Sequence, residues 1–186
     1  MRIIGGKFKG KKLLLPIDKK TRPLRDLVKE SIFNLLENSN KYKIILKDSE
    51  VLDLFSGSGS FGLECISRGV KKIIFSENYP GAINILKKNI SNINGDKFSK
   101  ILEKNCFNLI SSNILLNQSF DIIFLDPPFK EIGINNLLEK IVEKKLLSKN
   151  GIIILHRHKK DDIKITSKLN IIDKRFYGVS KIIFCN

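Results

Sequence analysis

The sequence predicts an α/β protein. The expected architecture is a mostly parallel, seven-stranded sheet that ends in an antiparallel hairpin, preceded by a small extension made of a β-hairpin and a helix. Three observations lead to it. From residue 50 onward, short apolar runs alternate with helical periods, the pattern of a parallel sheet covered on both faces. Where the first run gives way to a helix, Gly57, Gly59 and Gly62 spell G-x-G-x-x-G. The last two runs, 170–177 and 180–185, are separated only by Gly178 and Val179, so no crossover helix fits and they must pair antiparallel.

Taken in order, Arg2–Ile4 and Lys12–Leu15 read as two short strands around a basic turn holding Gly5, Gly6 and Gly10, closed by Pro16. Pro23 stands where a helix can begin. Leu24, Leu27, Val28, Ile32, Leu35 and Leu36 then recur at helical spacing, which predicts a helix over 23–38. Residues 38–48 are polar and read as a linker, so 1–45 is expected to be an extension and 46–186 the main domain. Within that domain the expected strands are Glu50–Leu54, Lys72–Ser76, Lys100–Glu103, Phe120–Leu125 and Gly151–Leu155. The expected helices are Gly59–Arg68, Pro80–Ile93, Cys106–Ser111 and Ile134–Leu147.

Charge narrows the partner class. The 186 residues carry 34 Lys plus Arg against 19 Asp plus Glu, a net charge of +15. Such a field attracts polyanions, with nucleic acid first among them. The excess is uneven: residues 1–25 hold Arg2, Lys7, Lys9, Lys11, Lys12, Lys19, Lys20, Arg22 and Arg25 against the single acid Asp18. Cys65, Cys106 and Cys185 are odd in number and far apart, which excludes a disulfide framework or a zinc-type spacing. His156 and His158 share one face of a strand but lack neighbouring ligands, so no metal is expected. No apolar run reaches the roughly 18 residues of a membrane span. Nor does the N-terminus carry the apolar core of a secretion signal, so a cytoplasmic protein is expected.

Two motifs carry chemistry. In Val51–Gly62 a strand ends and a Gly-rich loop opens a helix, with Glu77 at the end of the next strand, where its carboxylate suits ribose hydroxyls. A dinucleotide is disfavoured by Asp53, whose carboxylate would repel a pyrophosphate. It suits a ligand with a cationic amine, such as the methionine end of S-adenosylmethionine. The second motif is Asp126-Pro127-Pro128-Phe129 after the apolar strand 120–125. The two prolines stiffen the loop and remove two donors, leaving carbonyls to accept. Together with the Asp126 carboxylate and the Phe129 ring they suit an exocyclic amino group on a planar base. Asp53, Glu77, Asn105 and Asp126 all close expected strands, where open α/β sheets bind ligands.

These motifs resemble the class I, Rossmann-like, S-adenosylmethionine-dependent amino-methyltransferases. The N-terminal block Arg2–Leu13, then Thr21–Asp26 leading into Val28–Asn34, resembles more closely the bacterial 16S ribosomal RNA guanine-N2 methyltransferases of the RsmD type. Phe55–Gly59, Gly62–Glu64, Ser67–Gly69 and Tyr177–Lys181 match that family as well. The resemblance implies a cofactor set of Asp53, Phe55, Gly57, Ser58, Gly59, Glu77, Asn78, Asn105 and Cys106. Asp53 would hold the methionine amine, Glu77 the ribose, and Asn105 and Cys106 the edge of the adenine. Asp126, the Pro127 carbonyl, Pro128 and Phe129 would hold and stack the guanine. Arg2, Lys7, Lys9, Lys11, Lys12, Arg22 and Arg25 would contact RNA. The chain departs from the family at Tyr79, where a second acid is common, and at His156, where the fifth strand commonly ends in Glu.

The expected activity is methyl transfer from S-adenosylmethionine to a guanine N2 of small-subunit ribosomal RNA, by a monomer that acts on the subunit or an assembly intermediate. The alternatives are amino-methylation of adenine N6, cytosine N4 or a protein glutamine, and a non-catalytic RNA-binding assembly factor on the same fold. A glutamine enzyme has no use for the basic N-terminus. A DNA enzyme would need a larger recognition region than this length allows.

Overall fold

A computed structural model describes residues 1–18, 24–39, 41, 42 and 44–186. Lys19, Lys20, Thr21, Arg22 and Pro23 lie outside the described residues, and with them the expected RNA contact at Arg22 and the expected helix start.

The elements are α1 (Asp26–Asn38), β1 (Glu50–Leu54), α2 (Ser60–Ser67), β2 (Lys72–Ser76), α3 (Pro80–Asn92), β3 (Ser99–Leu102), α4 (Cys106–Ser111), β4 (Phe120–Leu125), α5 (Ile134–Glu143), β5 (Leu147–His158), β6 (Ile171–Tyr177) and β7 (Ser180–Cys185). One sheet runs β3-β2-β1-β4-β5-β7-β6. The first five strands in that order pair parallel, and β7 pairs antiparallel with both β5 and β6. The seven-stranded sheet with its terminal hairpin is therefore as the sequence predicts. Strand order reverses between β1 and β4, whose ends align with Leu54 beside Leu125. That reversal opens a crevice at the carboxyl ends.

Two apolar layers enclose the sheet. On one face, α1, α2 and α3 cover Val51, Ile73, Phe75, Ile122, Phe124 and Phe184. On the other, α4 and α5 cover Leu52, Leu54, Ile123, Leu125 and Ile183. Phe61 of α2 stacks on Phe124 of β4, ring centroids 4.0 Å apart, and on Phe33 of α1 at 5.1 Å. The N-terminal extension joins the first layer, since Ile3 and Leu13 are buried in it.

Small shifts at element ends aside, five elements differ from expectation, one of them β5, which runs Leu147–His158 where only Gly151–Leu155 is expected. The N-terminal hairpin forms a single antiparallel bridge, Arg2 to Lys12, in place of two strands. Besides its own cross-bonds, such as the Ile3 amide to the Lys11 carbonyl at 2.9 Å, its backbone is held by α2: Glu64 accepts the Ile4 and Gly5 amides, each at 2.7 Å. In α1, Leu27 is exposed, while Lys29 and Phe33 are buried. The polar stretch 38–48 is more than a linker, because Tyr42 and Leu46 enter the core. Finally, α5 stops at Glu143 rather than continuing to Leu147. Lys145 turns left-handed at φ 53°, and the Leu146 amide reaches back to the Ile141 carbonyl at 3.1 Å, the closing bond of a Schellman turn. Leu146 is buried all the same, so it prolongs the apolar period past the end of the helix.

At the centre of the first layer lies a buried ion pair. Lys29 Nζ is 3.6 Å from Glu64 Oε2, with both side chains fully enclosed. The ammonium also donates to the Arg2 carbonyl at 2.6 Å and to Ser60 Oγ at 3.4 Å. Arg68 Nε completes the shell of Glu64 at 3.0 Å. Burial lowers the Lys29 pKa, with Glu64 opposing it.

Candidate active site

The carboxyl ends of β1, β2, β4 and β5 surround a cavity of about 520 Å³. β1 contributes Asp53, which is buried and accepts the Gly62 amide of α2 at 3.1 Å. Burial raises its pKa well above the usual carboxylate range, the Gly62 amide opposes this, and the nearby Asp126 and Glu77 charges add to the rise. A carboxylate left so short of compensation is suited to a cation. The loop after β1 turns sharply, with positive φ at Phe55, Gly57 and Gly59.

The glycines of the motif serve different purposes. Gly57 lines the cavity and donates its amide to Glu77 Oε2 at 2.7 Å. At Gly59 a Cβ would come within 2.5 Å of Leu86 Cδ1, and at Gly62 within 2.2 Å of the Phe75 ring. Those two positions are small so that α2 can begin and seat itself against α3 and the sheet.

Glu77 follows β2. Besides the Gly57 amide it accepts those of Asn78 at 2.8 Å and Tyr79 at 2.9 Å. Three amides hold the carboxylate in one orientation at the cavity wall: Oε1 takes those of Asn78 and Tyr79, and Oε2, which takes only that of Gly57, retains capacity to accept a hydroxyl.

Asp126, Pro127, Pro128 and Phe129 line the opposite wall. Asp126 Oδ1 is 2.7 Å from His156 Nδ1, and His156 Nε2 is 2.8 Å from Ser180 Oγ. Phe129 meets His156 and His158 edge-on at 5.5 and 5.2 Å. The expectation that the loop carbonyls are open holds only in part. Arg157, nearly buried, donates to the carbonyls of Pro128 at 3.2 Å, Phe129 at 3.1 Å and Glu131 at 2.9 Å, and its Nε pairs with Asp161. Among the described residues nothing donates to the Pro127 carbonyl.

The structure thus brings Asp53, Phe55, Gly57, Ser58, Glu77, Asn78 and the whole Asp126–Phe129 loop to one cavity. Three expected cofactor residues lie off its wall. Gly59 is at the N-cap of α2. Asn105 caps α4 by accepting the Phe107 amide at 2.9 Å. Cys106 is buried in the second apolar layer, where burial pushes its thiol up to about 12. Arg157 had no sequence signal, because its partners are backbone carbonyls. Leu24 also lines the cavity, although its sequence signal was only that of a core position.

Of the expected RNA contacts, Arg2, Lys7, Lys9, Lys11, Lys12 and Arg25 are exposed. Arg2 lies 3.8 Å from Asp26, and Lys11 donates to the Asn92 carbonyl. Arg25 directly follows Leu24, a residue of the cavity wall. Among the described residues no cluster of His, Cys, Asp and Glu could hold a metal, and no helix is long and apolar enough to cross a membrane.

Comparison with known proteins agrees with this geometry. A family model described as "Conserved hypothetical protein 95" matches residues 1–186. The Bacillus subtilis protein named "Putative rRNA methyltransferase YlbH" is 32% identical over 183 residues, covering 98% of this chain and 96% of its own. The Haemophilus influenzae protein named "Ribosomal RNA small subunit methyltransferase D" is 30% identical, covering 96% and 90%. A solved Haemophilus influenzae structure, "putative methylase HI0767", superposes with a TM-score of 0.79 at 29% identity over 100% of this chain and 97% of its own. With a family match over its full length and a carboxylate-lined crevice where the sheet reverses, the chain belongs to the RsmD family of class I S-adenosylmethionine-dependent methyltransferases.

Proposed function

We propose that the protein methylates the exocyclic N2 of a guanine in 16S ribosomal RNA, presented within the small subunit or an assembly intermediate. One observation carries this reading: a single cavity holds a buried carboxylate fit for a cationic amine, a carboxylate oriented for ribose, and an Asp-Pro-Pro-Phe wall fit for an amino-bearing base. When bound, S-adenosylmethionine supplies a sulfonium methyl, which the guanine nitrogen takes with its lone pair while the carbon–sulfur pair stays on sulfur. Asp53 holds the methionine ammonium, and Glu77 holds the ribose hydroxyls. Asp126 and the Pro127 carbonyl accept the two hydrogens of the guanine amine, which turns its lone pair out of the ring. Phe129 stacks on the base. The leaving proton passes to Asp126. Holding the nitrogen in line supplies the remaining acceleration by proximity. The experiment that tests this is methylation of small subunits with labelled cofactor followed by nucleoside analysis. N2-methylguanosine supports the reading, and N6-methyladenosine or N4-methylcytidine overturns it.

Asp53→Asn is expected to weaken cofactor binding by about 1.5–3 kcal/mol, the worth of a hydrogen bond to a charged group, as read by calorimetry. The same variant should be more stable without cofactor. Because Asp53 has a raised pKa in the folded state, wild-type stability falls relative to the variant as pH climbs from the ordinary carboxylate range through that raised value. At pH below the ordinary range the two should melt alike.

Replacing Lys7, Lys9, Lys11 and Lys12 together by Ala is expected to weaken RNA binding and flatten its salt dependence, with cofactor affinity unchanged. Each lost phosphate contact should reduce the log–log salt slope by roughly 0.7–0.9. An unchanged slope would make these lysines a solvated face.

A further inference from the structure

We propose that His156 is the positioning residue for Asp126, fixing which carboxylate oxygen receives the guanine amine. The inference rests on the reading of Asp126 given above and goes beyond it. A carboxylate oxygen only accepts, so the 2.7 Å contact to Oδ1 places the imidazole hydrogen on Nδ1. The other ring nitrogen lies 2.8 Å from the Ser180 hydroxyl, which donates to it when the imidazole is neutral. Ser180 is buried at the start of β7 and His156 is buried near the end of β5, so the chain Ser180–His156–Asp126 is anchored in the sheet at its far end. Among the described residues nothing else bonds the Asp126 side chain, which lines the cavity, so Oδ2 keeps its capacity to accept.

The two neighbouring residues of β5 divide the task of holding this wall. Strand alternation sends His156 and Arg157 to opposite faces. Arg157 grips the carbonyls of Pro128, Phe129 and Glu131, and so sets the loop backbone. His156 sets the carboxylate and, edge-on, the Phe129 ring. An acceptor that must meet an amine in line with a methyl group tolerates little rotation, and a misplacement of about 1 Å can cost roughly 100-fold.

Two measurements test it on the full chain. The first is the imidazole nitrogen–proton correlation spectrum. The chain has two histidines, so assignment needs only the His156→Asn variant. A proton on His156 Nδ1 is the expected result, and a bare Nδ1 overturns the proposal. The second is turnover on small subunits. His156→Leu should lower kcat by about 10–100-fold with little change in KM or cofactor affinity. His156→Asn, whose amide hydrogen falls where Nδ1–H sits, should recover most of that loss. A Leu variant at the wild-type rate, or an Asn variant no better than Leu, overturns the inference. Wild-type protein that makes no N2-methylguanosine overturns the functional reading and this inference with it. Normal wild-type product with an unimpaired Leu variant overturns this inference alone.

Discussion

Asp126→Ala is expected to lower turnover by roughly 100–1000-fold, the usual loss when one preorganised polar partner of a reacting group is removed. The cost should appear in kcat, because the acceptor matters most as the nitrogen becomes tetrahedral. Cofactor affinity should hold. Phe129→Ala should be milder: a lost stacking surface is worth about 1–3 kcal/mol, or roughly 5–150-fold in kcat/KM. The melting curve separates a stacking ring from a core ring. Phe129 is half-buried at the cavity wall, whereas Phe61 is enclosed and stacked on both sides. Phe61→Ala should cost about 3–5 kcal/mol of stability, and Phe129→Ala far less. Phe129→Tyr should retain most activity. A Phe129→Ala variant that melts like Phe61→Ala yet methylates normally per folded molecule would remove Phe129 from the substrate site.

Glu64→Gln is expected to be the most destabilising conservative change outside the cavity. It leaves Lys29 enclosed without its paired carboxylate, with only the weaker field of Asp26 opposing its charge, a situation that costs about 3–5 kcal/mol. For a chain of this size each kcal/mol moves the melting temperature by about 2–4 °C, so calorimetry should show a large drop. Glu64 also accepts the Ile4 and Gly5 amides, so the basic N-terminal segment should loosen with it. Rapid amide exchange at Ile4 and Gly5 in the variant would show this. Adding Lys29→Met should restore much of the stability by removing the stranded charge. If Glu64→Gln melts like the wild type, the pair contributes nothing to the docking of the extension.

Much of the fold was legible because period and punctuation are local. β1, β2, α4, β4 and β7 begin and end where residue type alone places them, since β-branched runs stop at polar strand ends and prolines and glycines mark the turns. Most of the cavity wall was legible for a related reason. In a parallel sheet the strand ends converge, so residues as far apart in sequence as Asp53, Glu77 and Asp126 can be assigned to one crevice before any coordinates exist. Errors arose where a residue answers to a distant neighbour. Leu146 continues a helical period although its backbone has left the helix.

The sequence by itself determined the strand–helix alternation, the closing hairpin, the basic N-terminus and the chemistry available at the strand ends, because each depends on residue type and spacing along the chain. Only the tertiary structure decided how those groups are held. Lys29 reads as one more surface lysine until α1 is laid across α2 and its charge is enclosed beside Glu64. Arg157 reads as one more cation until β5 lies beside β4 and its guanidinium reaches three loop carbonyls. His156 reads as a departure from its family until β7 brings Ser180 against one ring nitrogen and β4 brings Asp126 against the other. In each case the partner is 24 or more positions away in the chain, and its identity is set by strand register and helix docking.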